Sequence, residues 1–158
     1  MARGDFWRAA ALVLGCATLG NFAAAHGDVT PQAVDTTGLQ QLGADWLTVN
    51  PYSKNEKAIA IGSSAFNQNC ARCHGLEAIS GGIAPDLRRL DNECAAMGAN
   101  VKKQAACVLD VNEYFLTSIR HGKTRNGAVY MPPFEGILSQ EAMWAIKSYL
   151  ETRREKPF

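Results

Sequence analysis

Cys70-Ala71-Arg72-Cys73-His74 is the stretch of this sequence whose side chains and spacing carry a definite chemistry. C-x-x-C-H is the attachment pattern of a c-type haem. Two thiols add across the two vinyl groups of one haem, and the two residues between them let both reach it. The adjacent histidine then offers a ring nitrogen to the iron. A thioredoxin-like redox pair uses the same C-x-x-C within a βαβ pattern, and no such pattern surrounds it here. Half of a zinc site would need further ligands at close spacing, and only His26 and His121 remain as histidines.

What stands opposite His74 decides how the iron is used. An open position admits small gases or peroxide. A methionine closes the site and favours ferrous iron through its soft thioether. Met143 falls on the inner face of a helical pattern, where methionine is ordinarily core. Met97 lies between Cys94 and Cys107. Met131 lies in a loop directly before Pro132 and Pro133, whose fixed φ angles stiffen the chain and restrict the residue ahead of them. Met131 is therefore the expected second ligand, the alternative being a methionine that merely fills a gap. His121, the competing ligand, reads as a surface residue at a helix end between Arg120 and Lys123. His26 could bind copper as a terminal residue, but it has no second histidine nearby and is treated as incidental. The other ring N–H of a haem-ligating histidine needs an acceptor, and the Pro85 carbonyl, a short way downstream, is the candidate.

The first residues fix the compartment. Arg3 and Arg8 precede an apolar run from Ala9 to Leu19, and Ala23-Ala24-Ala25 follows. This is a secretory signal peptide, residues 1–25, with cleavage expected after Ala25; the apolar run is too short for a membrane span. A competing reading takes Val13-Leu14-Gly15-Cys16 as a lipobox, with a lipid on Cys16. Removing the leader takes away Arg3, Arg8 and Asp5 and leaves basic and acidic residues balanced. That balance excludes nucleic acid and strongly anionic membranes as expected partners. Cys94 and Cys107 then remain as an even pair in an oxidising setting.

Five stretches must position the chemistry. Residues 26–52 read as an extension broken by Gly27, Pro31, Gly38, Gly43 and Pro51. Leu39, Leu42, Trp46 and Leu47 allow a short helical piece within it, and Trp46 with Leu47 is expected to pin it to the domain; a partner-docking role stays open. The domain proper spans 53–158. Ser53-Lys54-Asn55-Glu56 reads as a capping box, followed by Ile59, Gly62 and Phe66 on one helical face. Gly62 suits a close helix crossing. Cys94 and Cys107 would stand about 20 Å apart on one helix, so a disulfide requires a reversal near Gly98-Ala99-Asn100; the expectation is two short helices stapled into a hairpin, against two buried free thiols. Asp110-Val111-Asn112-Glu113 reads as the start of a further helix, with Val111, Phe115 and Ile119 as its stripe and Gly122 as its end. The last helix opens at Ser139 and turns Met143, Ile146, Tyr149 and Leu150 inward. No strand is expected.

Together these residues resemble a class I cytochrome c over about 53–158. The Gly62/Phe66 helix, Cys70 to Gly75, Ala84-Pro85-Asp86-Leu87, Met131-Pro132-Pro133-Phe134 and the Trp144 to Leu150 helix carry the resemblance. It implies an all-α fold whose first and last helices cross around one covalently bound haem c, held by Cys70, Cys73, His74 and Met131. It also implies that the Pro85 carbonyl accepts from His74. The Cys94/Cys107 stretch departs from the minimal family pattern and reads as an insertion. With the His26 to Pro31 start, it makes the chain similar to the PedF-type cytochromes c. That narrower resemblance implies a periplasmic electron carrier, not an enzyme. It would be reduced by a quinoprotein (PQQ-dependent) alcohol dehydrogenase and oxidised by a terminal oxidase or another cytochrome. Two alternatives remain: a haem enzyme or gas sensor with an open iron site, and a carrier for a different periplasmic dehydrogenase. A dihaem peroxidase is disfavoured by the single C-x-x-C-H.

Overall fold

A computed structural model describes residues 30–156. The leader with its cleavage point, Cys16 and His26 lie outside the described residues. Among the described residues, no helix is long and apolar enough to cross a membrane.

Two helices form the frame. α1 runs Glu56–Asn69 and α5 runs Gln140–Thr152. They cross where Gly62 faces Ala145, and a Cβ built on Gly62 would overlap the Ala145 carbonyl. The helix cost of a glycine, about 1 kcal/mol against alanine, is offset by this approach of backbones. Phe66 and Tyr149 meet beside the crossing with ring centroids 5.4 Å apart. The Ser139 hydroxyl caps α5 by accepting from the Ala142 N–H at 3.2 Å, as expected. The expected capping box at Ser53 is not used. Asn55 caps α1 instead, accepting from the Ala58 N–H at 3.0 Å. Asparagine is as good a cap as serine, and Ser53 donates to the Glu151 carboxylate at 2.7 Å.

Cys94 and Cys107 are disulfide-bonded, with α-carbons 5.5 Å apart. α3, Asn92–Ala96, and α4, Val101–His121, are the two stapled helices, and the chain reverses between them. The expectation of a separate helix starting at Asp110 is wrong. α4 is continuous because residues 101–110 contain neither glycine nor proline, and Asn100 has already capped it, accepting from the Lys103 N–H at 3.1 Å. α4 ends at Gly122, as expected, with φ +69°.

The absence of strands is also overturned. β1, Lys123–Arg125, and β2, Ala128–Met131, form an antiparallel hairpin around Asn126-Gly127. Both turn residues have positive φ, 51° and 78°, which the right-handed twist of a two-residue hairpin demands and which Asn-Gly supplies best.

Residues 30–52 contain no helix. Gly38 and Gly43 take left-handed φ values of +84° and +81°, which interrupt the helical spacing. The segment instead lies over α5 as a strap. Leu39 and Tyr52 are buried, while Leu47, one of the two residues expected to pin it, is exposed. Beneath the strap α5 is buried on every side from Gln140 to Leu150. Even Lys147 is 1% exposed, paired with Glu151 at 3.3 Å and Asp91 at 3.8 Å. Burial would raise the Glu151 carboxyl, but Lys147, the Ser53 and Asn50 hydrogen bonds and Arg154 hold it below its ordinary 4.5. A charge so placed is tolerated because each member is satisfied by its neighbours.

Candidate haem site

α1 ends at Cys70, and the four-residue helix α2, Ala71–His74, carries the rest of the motif into a cavity of about 470 Å³. That volume lies within the range of cofactor pockets. The cavity brings together all four residues singled out in the sequence: Cys70, Cys73, His74 and Met131. Its remaining wall comes from the apolar stripes of the long helices: Phe66, Phe115, Ile119, Ile146 and Leu150. Both cysteines are free. Burial, with Cys73 close by, pushes the Cys70 thiol up to about 12, so it is a poor nucleophile once this fold has closed.

The loop after His74 forms one side. Gly75 takes φ +77°, and a Cβ there would overlap the Ile79 carbonyl, so the chain turns back tightly. The turn returns Ala84, Pro85, Asp86 and Leu87 to the cavity wall. The Pro85 carbonyl lies 3.0 Å from His74 Nδ1. A carbonyl only accepts, so Nδ1 carries the hydrogen and Nε2 keeps its lone pair. A helical turn of residues Leu87–Arg89 ends this side, and Asp86 caps it. The Arg88 guanidinium, hydrogen-bonded to Asp86, holds that carboxyl below the usual carboxylate range.

The loop carrying Met131 forms the other side. Met131 sits at the end of β2, opposite Lys123. A Cβ on Gly122 would overlap the Met131 carbonyl and crowd Pro132 and Pro133, so only glycine lets this loop lie so close to the end of α4. The chain then bonds back to α4: the Phe134 N–H donates to the Ile119 carbonyl at 3.0 Å and the Glu135 N–H to the Arg120 carbonyl at 3.2 Å. The other methionines stand elsewhere, Met143 buried in the core and Met97 exposed at 40%. His121 is at the surface, 3.3 Å from Glu135.

Two free thiols, an imidazole with one nitrogen held by backbone, a thioether and an apolar cavity fit a covalently attached haem. Among the described residues no group of three or more His, Cys, Asp and Glu gathers into a further metal site. Sequence reasoning missed Lys123 and Tyr130, which line the cavity from the hairpin. The Asn126-Gly127 pair was the signal that would have found them. It also missed that Trp46 reaches Arg120, whose guanidinium lies 4.0 Å above the indole.

Residues 57–150 match the family described as cytochrome c oxidase, cbb3-type, subunit III. Cytochrome c550 of Pseudomonas aeruginosa is 52% identical over 145 residues, which is 89% of this chain and 90% of that one. Quinohemoprotein alcohol dehydrogenase ADH-IIG of Pseudomonas putida is 29% identical over 101 residues, 64% of this chain and 11% of that enzyme. The cbb3-type cytochrome c oxidase subunit FixP of Rhizobium meliloti is 29% identical over 132 residues, 80% of this chain and 41% of that subunit. No solved structure matches the chain significantly.

Proposed function

Because this chain belongs to the class I cytochrome c family, we propose that it shuttles single electrons in the periplasm from a quinoprotein alcohol dehydrogenase to the respiratory chain. The chain is a monohaem electron carrier with covalently bound haem c. The haem supplies an iron that gains and loses one electron. The protein's part is to hold that iron in one environment in both oxidation states. In this reading Cys70 and Cys73 would hold the haem through thioether bonds, and His74 Nε2 and the Met131 sulfur would be the ligands to its iron. With both ligands supplied by this chain, none would need to leave or bind as the oxidation state changes, so reorganisation on electron transfer would be small. The observation that carries the reading is the gathering of these four side chains around one apolar cavity.

His74 is oriented by the Pro85 carbonyl, which fixes the tautomer and raises the basicity of Nε2. Ile83 and Tyr130 both line the cavity and are exposed at 76% and 66%. Electrons pass at this mouth, where a partner can approach without crossing the helices. Residues 1–25 are the export signal, 26–52 the extension and 53–158 the cytochrome domain. The match to a quinohemoprotein alcohol dehydrogenase supports the choice of donor; the FixP match supports a terminal oxidase or another cytochrome as acceptor.

Two experiments test this. Met131→Ala abolishes the sulfur-to-ferric charge-transfer band of the oxidised protein; an unchanged spectrum overturns the ligand assignment. The oxidised protein, mixed with a quinoprotein alcohol dehydrogenase and its alcohol, is reduced faster than by an unrelated periplasmic dehydrogenase. Equal rates overturn the donor assignment and leave the carrier. Because the mature charge is balanced, raising the salt has little effect on the rate.

A further inference from the structure

The strap reaches the Met131 loop through three side chains, Trp46, Arg120 and Glu135. Gln140, buried at the first turn of α5, brackets Trp46: its Oε1 accepts from the Leu47 N–H at 2.8 Å and its Nε2 donates to the Asp45 carbonyl at 3.0 Å. The neighbouring Glu141 accepts from the Leu42 N–H at 2.8 Å, and Asn112 of α4 donates to the Thr48 carbonyl at 3.2 Å. Trp46 is thus fixed from both sides by elements 64 or more residues away in sequence. Its indole lies under the Arg120 guanidinium, at 4.0 Å. From there Arg120 Nε and a terminal nitrogen both donate to Glu135 Oε1, at 3.0 and 2.5 Å. Glu135 is the fourth residue after Met131 and closes the loop that Pro132 and Pro133 stiffen.

We propose that Trp46 is a positioning residue for Met131, acting through Arg120 and Glu135, so that the extension clamps the thioether loop shut over the haem. The proposal rests on the reading of Met131 as the second axial ligand. The geometry favours this role because an arginine stacked on an aromatic face keeps all its N–H groups available in its plane. Stacking therefore orients the fork towards Glu135 without competing with it. Pro132 and Pro133 make the loop rigid within itself, but a rigid loop still swings about its ends. Gly122 allows close approach at one end, and the Arg120–Glu135 pair ties the other.

The test measures how fast imidazole enters the oxidised holoprotein, followed by stopped-flow absorbance, because entry requires the loop to open. Trp46→Leu and Glu135→Gln each speed entry about two- to fivefold, the range expected for losing a stacked cation or an exposed ion pair. Trp46→Phe, which keeps an aromatic face beneath Arg120, returns the rate to that of the unmodified protein. Tyr52→Phe removes the hydroxyl that donates to the Gln40 carbonyl within the strap but touches neither Arg120 nor Glu135; it lowers the melting temperature and leaves the rate alone. If Trp46→Leu and Glu135→Gln bind imidazole at the original rate, or Tyr52→Phe speeds binding equally, the proposal falls. Met131→Ala in the same series separates the two readings. Unhindered entry there, with no change in the other variants, overturns the clamp alone. Unchanged entry in Met131→Ala overturns the ligand assignment beneath it.

Discussion

The two loops that wall the cavity are built on opposite principles. The His74 loop is held locally. Its motif occupies five consecutive residues, its acceptor carbonyl is 11 residues downstream, and a tight glycine turn returns the chain. The Met131 loop is held by the end of α4 and a two-stranded hairpin, also close in sequence, and in our proposal by a strap from the other end of the chain as well, through Trp46 and Arg120. The difference suits the proposed ligands. Attachment through two thioethers would fix the position of His74 covalently, so its loop would need only to orient a ring. A thioether ligand has no covalent tether to the haem, so its loop must be held in place by packing and hydrogen bonds.

The largest expected effect breaks this contrast at the Met131 side. Gly122→Ala combines a left-handed backbone, about 1–3 kcal/mol for a non-glycine residue, with overpacking of about 1–3 kcal/mol. It is expected to lower stability by about 2–6 kcal/mol and to weaken the sulfur-to-ferric band while the haem stays attached. An intact band and an unchanged melting temperature would show that the loop does not depend on this approach.

Opening the disulfide comes next and sharpens the contrast from the other side. Cys94→Ala with Cys107→Ala releases a loop of 13 residues' separation and is expected to cost about 3 kcal/mol by the chain-entropy estimate. Neither Cys94 nor Cys107 lines the cavity, so the melting temperature should fall with the sulfur band unaltered. Loss of the band would mean that the two walls share one support.

The smallest effect concerns the helix common to both walls. The Glu151 carboxyl is held below its ordinary 4.5 by Lys147 and its hydrogen bonds. A depressed folded value means that the unfolded chain binds the proton first. The stabilisation is therefore present above pH 4.5 and is lost as pH falls through the lower folded value. Glu151→Gln is expected to cost about 1–2 kcal/mol at neutral pH, measured by denaturant titration, with the deficit shrinking below pH 4.5. A deficit that grows on acidification would refute the linkage.

Legibility in the sequence followed the same division. C-x-x-C-H, the Pro85 acceptor, the Gly62 crossing, the Ser139 cap and the Cys94/Cys107 reversal all rest on neighbours in sequence or on one strong steric rule, and each was readable. The helix expected at Asp110 failed because a cap signal lost to uninterrupted helix formers on its N-terminal side. The capping box at Ser53 failed because a better-placed asparagine stood two residues on. The hairpin was legible in Asn126-Gly127, but Val129 and Tyr130 are exposed and gave no buried alternation to support it.

By itself the sequence determined the covalent chemistry, the two side chains proposed to face the iron and the pair of helices that must cross, because spacing and glycine sterics act within a few residues. Only the tertiary structure decided what residues 30–52 do. A tryptophan in a segment without periodicity can pin, dock or stack, and the choice depends on which side chain from a distant helix comes to lie over it. Here that side chain is Arg120 of α4, met by a strap that Gln140 of α5 holds on either side of Trp46, a contact that no local pattern encodes.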